Sequence, residues 1–151
     1  MRGTVGLMST VALLDQFDRL HADILAILDR ARPHLGGRDA GSWTALAPFR
    51  GELTAALHAL EIALQRDLID PILRAGGPAA AMVRTLKADC IKLGFDYQAY
   101  QRTWAHADID ARWAEYRLAG LAMMRHMREQ IAAQDVAIRA LCDRAEHATA
   151  G

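Results

Sequence analysis

Four long stretches rich in Ala, Leu, Arg and Glu, divided by short clusters of Gly and Pro, most limit what this chain can fold into. The first group are strong helix formers, whereas Gly and Pro punctuate and end helices. Pro33, Gly36, Gly37 and Gly41 make one break, Gly76, Gly77 and Pro78 a second, and His106 to Asp108 a softer third. Between the breaks, apolar residues return every three or four positions, the period of a helix with one buried face. No stretch alternates apolar and polar residues for more than a few positions, so strands are not expected.

The first helix should run from about Thr10 to Arg32, with Ser9 or Thr10 as N-cap and Leu13, Phe17, Leu20, Ile24 and Leu28 facing inward. The second should run from about Ser42 to Leu73, kinked near Pro48 to Gly51, with Leu53, Leu57, Leu60, Leu64, Leu68 and Ile72 inward. Pro71 removes a backbone hydrogen bond and should tighten or bend its last turn. The third should start at Pro78 and end near Trp104, presenting Leu86, Cys90, Leu93, Tyr97 and Tyr100. The fourth should run from about Ile109 to His147, with Asp108 and Asp110 as charges favourable to a helix start. Its inward face begins at Trp113, Tyr116 and Gly120 and continues through Met123, Met127, Ile131, Ile138 and Leu141. Four such helices with short turns imply an all-α fold, an up-down-up-down antiparallel four-helix bundle.

At 151 residues the chain is the size of one domain. The bundle should occupy 9–147, between a flexible N-terminal segment at 1–8 and a C-terminal tail at 148–151; Met8 is a candidate start. Eighteen basic residues balance eighteen acidic ones and no basic stripe stands out, which argues against nucleic acid as a partner. Charges interrupt the apolar stretches before the ~20 residues needed to span a bilayer, and the N-terminus has no run suited to a signal peptide. Cys90 and Cys142 form no CxxC motif, so a cytoplasmic protein with free thiols is expected.

Several polar or sulfur side chains fall on the inward stripes. His21 lies four residues after Phe17 and three before Ile24; Glu61 and Gln65 are one helical turn apart among leucines, as are Gln130 and Gln134 on the fourth helix. Cys90 lies between Leu86 and Leu93. Polar groups in a core are costly unless satisfied, by a metal, another side chain or water. Taken singly, a core histidine is most simply a hydrogen-bonding residue, a cysteine a small hydrophobe, and Met123, Met124 and Met127 core filler. The coincidence across four helices is what suggests a site, because side chains on facing helices of a bundle converge.

In this pattern the chain resembles the hemerythrin-like (HHE cation-binding) family, over roughly Thr10 to Leu141. LLDQFDRLHADILAIL matches the family's first-helix histidine stretch, with His21 at the ligand position. Pro71 anchors the register of the second helix, so that Glu61 stands where the family has histidine and Gln65 where it has glutamate. In ADCIKLGFDYQAY, Cys90 takes the third helix's histidine place, and Gln130 and Gln134 take the histidine and glutamate places of the fourth. Of these six positions only His21 keeps the family's residue type. Three neutral amides leave too little negative charge to hold two irons, so the resemblance implies a bundle without an oxygen-binding di-iron centre.

Two functions follow from the resemblance. One is a non-enzymatic regulatory or protein-interaction domain without cofactor, in which glutamines bridge His21 and Glu61 in a polar core. The other is a sensor or carrier holding one zinc or iron ion on His21, Glu61 and Cys90. An enzyme using Glu61 as general acid or base is a weaker reading. His58 and His126 sit at stripe edges and read as flanking residues, and Cys142, beside Asp143 and Arg144, as partly exposed. Trp43, Trp104 and Trp113 are contact candidates for an unknown protein partner or a second copy of the chain, if solvent reaches them.

Overall fold

The structure, a computed structural model, describes residues 9–36 and 40–150. Helix α1 spans Thr10–Leu35, α2 Ala47–Leu64, α3 Asp70–Ala75, α4 Ala80–Ala105 and α5 Trp113–Ala150. A π-helical turn, Gln65–Ile69, joins α2 to α3 without a break, so the chain forms four long helical rods among the described residues. Residues 40–46 form a 3-10 stretch before α2. The protein is all-α, with no strand among the described residues. No helix among the described residues is long and apolar enough to cross a membrane. The expected flexible segment at 1–8, with Met8, lies outside the described residues, as do Gly37 and Gly151.

Ser9 caps α1 as its sequence suggests, its hydroxyl accepting from the Ala12 amide at 3.1 Å. The helix does not stop at Pro33. It runs one turn's remainder further to Leu35, which is 1% exposed, and the Gly36 amide closes on the Pro33 carbonyl at 3.1 Å. Burying Leu35 outweighs the proline's missing donor at a helix end. The second rod begins its α ladder at Ala47 rather than Ser42, with Pro48 in its first turn, where no donor is needed. Pro71 neither tightens nor simply bends the helix. The turn ahead of it widens instead, and the Asp70 amide reaches the Gln65 carbonyl five residues back. Proline's ring crowds the carbonyl of the residue four before it, here Asp67, and a π turn relieves that crowding.

α5 starts later than Ile109. Residues 109–112 form turns, the Asp108 carboxylate accepts from the Ala111 amide at 3.2 Å, and Asp110 accepts from the Trp43 indole at 3.1 Å. At its other end α5 passes the expected His147 and continues to Ala150.

α1 and α5 run in opposite directions, with Thr10 bonding Glu146, Asp18 pairing Arg139 at 2.7 Å, and the Leu35 carbonyl accepting from Arg117 at 2.6 Å. α4 and α5 also oppose, joined by Asp96 to His126 at 3.0 Å and by Trp104 edge-on to Tyr116 at 5.2 Å. The main core contains Phe17, Ile24, Leu28, Leu60, Leu64 and Met127, all 1% exposed or less. A second cluster at one end gathers Ala31, Leu35, Leu46, Trp104, Ile109 and Tyr116. Trp104 is therefore buried, not an exposed contact residue, because it seals this end; Trp43 and Trp113 are half-buried. Cys142 is buried too, at 3% exposure, since it packs into the main core while Asp143 and Arg144 point out.

Candidate functional site

His21 projects from the middle of α1 and is 5% exposed; Gln134 projects from α5 and is 2% exposed. Each follows the inward stripe of its helix, and the two helices pack along their length, so the side chains meet. His21 Nε2 lies 3.2 Å from Gln134 Oε1. With the amide oxygen accepting, the imidazole donates from Nε2 and is neutral with Nδ1 bare, or is protonated at both nitrogens. Burial lowers the His21 pKa below 6.5, against the opposing pull of the Gln134 hydrogen bond and of Asp135 and Asp18. The neutral form is thus favoured.

The Gln134 Nε2 atom is buried and lacks a protein partner. Gln134 also lines a cavity of about 190 Å³ between α4 and α5, together with Gln130, Asp89, Thr85 and Leu86. The space admits several waters, which is how a buried amide is ordinarily satisfied.

The other expected members of the polar core do not join His21. Glu61 is exposed, lying on a groove between α2 and α4 rather than inside. The groove, of about 540 Å³, opens where Gly51, Ala55 and Gly94 leave little side chain between the helices, and a carboxylate without a cation stays in water there. The expected bridge from His21 to Glu61 through the glutamines is therefore not formed. Gln65 is half-buried and donates to the Asp70 carboxylate across the π turn. Cys90 is half-buried; desolvation, aided by the nearby Glu61 charge, pushes its thiol up to about 11. Gln130 is half-buried at the edge of the α4–α5 cavity. His58 is exposed on the same groove as Glu61, and His126 is half-buried against Asp96.

The donor set does not fit a metal ion. Among the described residues no three His, Cys, Asp or Glu side chains stand together in a way that could hold one, so His21, Glu61 and Cys90 do not form a ligand triad.

Arg50 and three tyrosines were not legible as a site. Arg50 lies in the first turns of α2, half-buried, and donates from Nη1 to the Tyr116 hydroxyl at 3.4 Å. Tyr97, Tyr100 and Tyr116 read as inward residues, and inward they are, but their rings form a continuous stack, with centroids 6.2 and 6.4 Å apart. The available signal was the run of aromatics at helical spacing facing an arginine just after Pro48.

Fold and core together define an all-helical protein with a neutral imidazole–amide pair at its centre. No family model, curated protein or solved structure matches the chain.

Proposed function

We propose that this chain is a hemerythrin-like, up-down-up-down four-helix bundle whose metal-ligand positions have been substituted, and that it acts without metal as a non-enzymatic regulatory or protein-interaction domain. The observation that carries this reading is the His21–Gln134 contact. Residues at two positions that the resemblance gives to ligands face one another across the core, and the pair is neutral. The exposed Glu61 and the turned-away Gln65 agree with a lost centre. The interaction role is supported by Ile62, Ile91 and Phe95, which are 47%, 40% and 64% exposed. Ile62 lies on α2 and Ile91 and Phe95 on α4, and exposed large apolar side chains are what contact surfaces are made of.

Elemental analysis of protein purified without added metal or chelator tests the proposal. The expected result is sub-stoichiometric iron and zinc, with a thermal transition unmoved by either ion. Near-stoichiometric metal that is lost in a His21→Ala variant would overturn it.

A further inference from the structure

The end of the molecule that carries Arg50 has the makings of a small-molecule site. The guanidinium stands 5.9 Å from the Trp43 ring centroid and donates to the Tyr116 hydroxyl. Neither partner is an anion, and a guanidinium keeps its charge at any ordinary pH. By contrast, neighbouring Arg112 is matched by Glu115 at 2.9 Å, and Arg30 by Glu52 at 2.8 Å. Arg50 is thus a half-buried cation whose charge is not balanced by a carboxylate among the described residues.

Three spaces meet at this one side chain. An apolar cavity of about 50 Å³ lies inward, lined by Leu28, Leu53, Tyr97, Tyr100 and Met127 among others. A cleft of about 320 Å³ lies outward, walled by Trp43, Tyr100, Trp104, Ile109 and Tyr116. The α2–α4 groove reaches it from the side, past Tyr97 and Gln101. Gly120 makes the inner wall possible: a Cβ there would come within 2.9 Å of Leu35 Cδ1 and 3.3 Å of the Tyr100 hydroxyl. The Tyr100 hydroxyl stands close to Tyr116 and to the guanidinium, and burial holds its pKa well above the ordinary value, so it remains a donor. Concave apolar walls with a few convergent polar groups are what small-molecule sites look like.

The geometry points to a binding site for a small aryl carboxylate, its carboxylate on Arg50 and the tyrosine hydroxyls, and its ring between Trp43 and Trp104. The charge selects an anion, and the planar fork of arginine selects a carboxylate geometry. The walls select a flat apolar body over a free inorganic ion, which would leave the cleft between Trp43, Ile109 and Tyr116 unfilled. Asp110, held by the Trp43 indole at the rim, disfavours a second negative charge on the ligand's far side. The site does not rest on the hemerythrin-like reading: metal content tests that one, and ligand titration tests this one.

Benzoate is the probe, with benzamide as its neutral isostere and inorganic phosphate as the small-anion control, titrated against the whole chain by tryptophan fluorescence and calorimetry. Benzoate should bind saturably and raise the melting temperature. Benzamide should bind at least about tenfold more weakly, the factor one charge-assisted hydrogen bond supplies, and Arg50→Gln should weaken benzoate by a similar factor. Arg50→Lys, which keeps charge but not the fork, should fall between. Absence of saturable benzoate binding, equal affinity for benzamide, displacement by phosphate at equal concentration, or unchanged affinity in Arg50→Gln each overturns the proposal. Should Arg50→Gln fail to fold, Arg50→Lys and the benzamide comparison decide it.

Discussion

His21 on α1 and Gln134 on α5 hold each other across the core at 3.2 Å, each almost wholly out of water, and only one side of the amide is engaged. The pair links the first and last helices, and its chemistry sets how the core answers to pH and to substitution.

Because burial lowers the His21 pKa below 6.5, the folded protein takes up this proton less readily than the unfolded chain. Stability is then complete above the unfolded value and drains away as pH falls through it toward the folded one. Urea unfolding followed from pH 8 to pH 5 should show a falling free energy below about 6.5, losing about 1.4 kcal/mol for each unit of depression. A His21→Leu variant should lose that slope. A wild-type profile as flat as the variant's would sink the assignment.

Gln134→Leu should cost about 1–3 kcal/mol, since it leaves the imidazole without its acceptor. The double variant His21→Leu/Gln134→Leu should be less destabilised than the two single changes summed, by roughly 0.5–3 kcal/mol, as residues in direct contact are. Strict additivity in chemical denaturation would show that the contact contributes nothing.

Gly120→Ala adds a methyl group facing the buried Leu35 side chain and the Tyr100 hydroxyl. Overpacking costs about 1–3 kcal/mol, while alanine's better helix propensity returns about 1. The net expectation is a lower melting temperature, and a rise would mean that Leu35 has room to move.

Cys90 should resist thiol reagents at neutral pH, because its thiol is pushed up to about 11. Cys142, buried and raised in the same direction, should also be slow. Iodoacetamide labelling read by mass spectrometry should give little adduct at pH 7 on the native protein and both adducts once it is unfolded. Rapid native labelling of Cys90 would show that its surroundings are wetter than the packing implies.

The helical period was enough to place Phe17, Ile24, Leu28, Leu60, Leu64, Leu93, Met127, Ile131, Ile138 and Leu141 in the core, because burial acts on one face of each helix independently of the others. His21 and Gln134 were legible for the same reason. Glu61 was not: its spacing from Leu57 and Leu64 is that of a core residue, but small residues on two different helices leave a solvent-filled groove between α2 and α4 beside it. Cys142 misled in the opposite way, since its charged neighbours point elsewhere, successive side chains on a helix being about 100° apart. Arg50 was invisible because an unbalanced charge is a property of everything around it.

The π turn at Gln65–Ile69 makes the rod from Ala47 to Ala75 two segments out of phase. One extra residue is wound in, and each residue of an α-helix advances about 100° around the axis. Removing a single residue there would restore an unbroken α ladder and leave the Ala47–Leu64 portion facing much as it does, because the wide turn absorbs the extra residue. A residue added or removed within the regular α ladder ahead of that turn has no such outlet, and would turn the side chains before it together by about 100°. The composition of the α2–α4 groove is therefore set partly by a count of residues ahead of Pro71, and the wide turn is the place in the rod where that count can change at least cost to the groove.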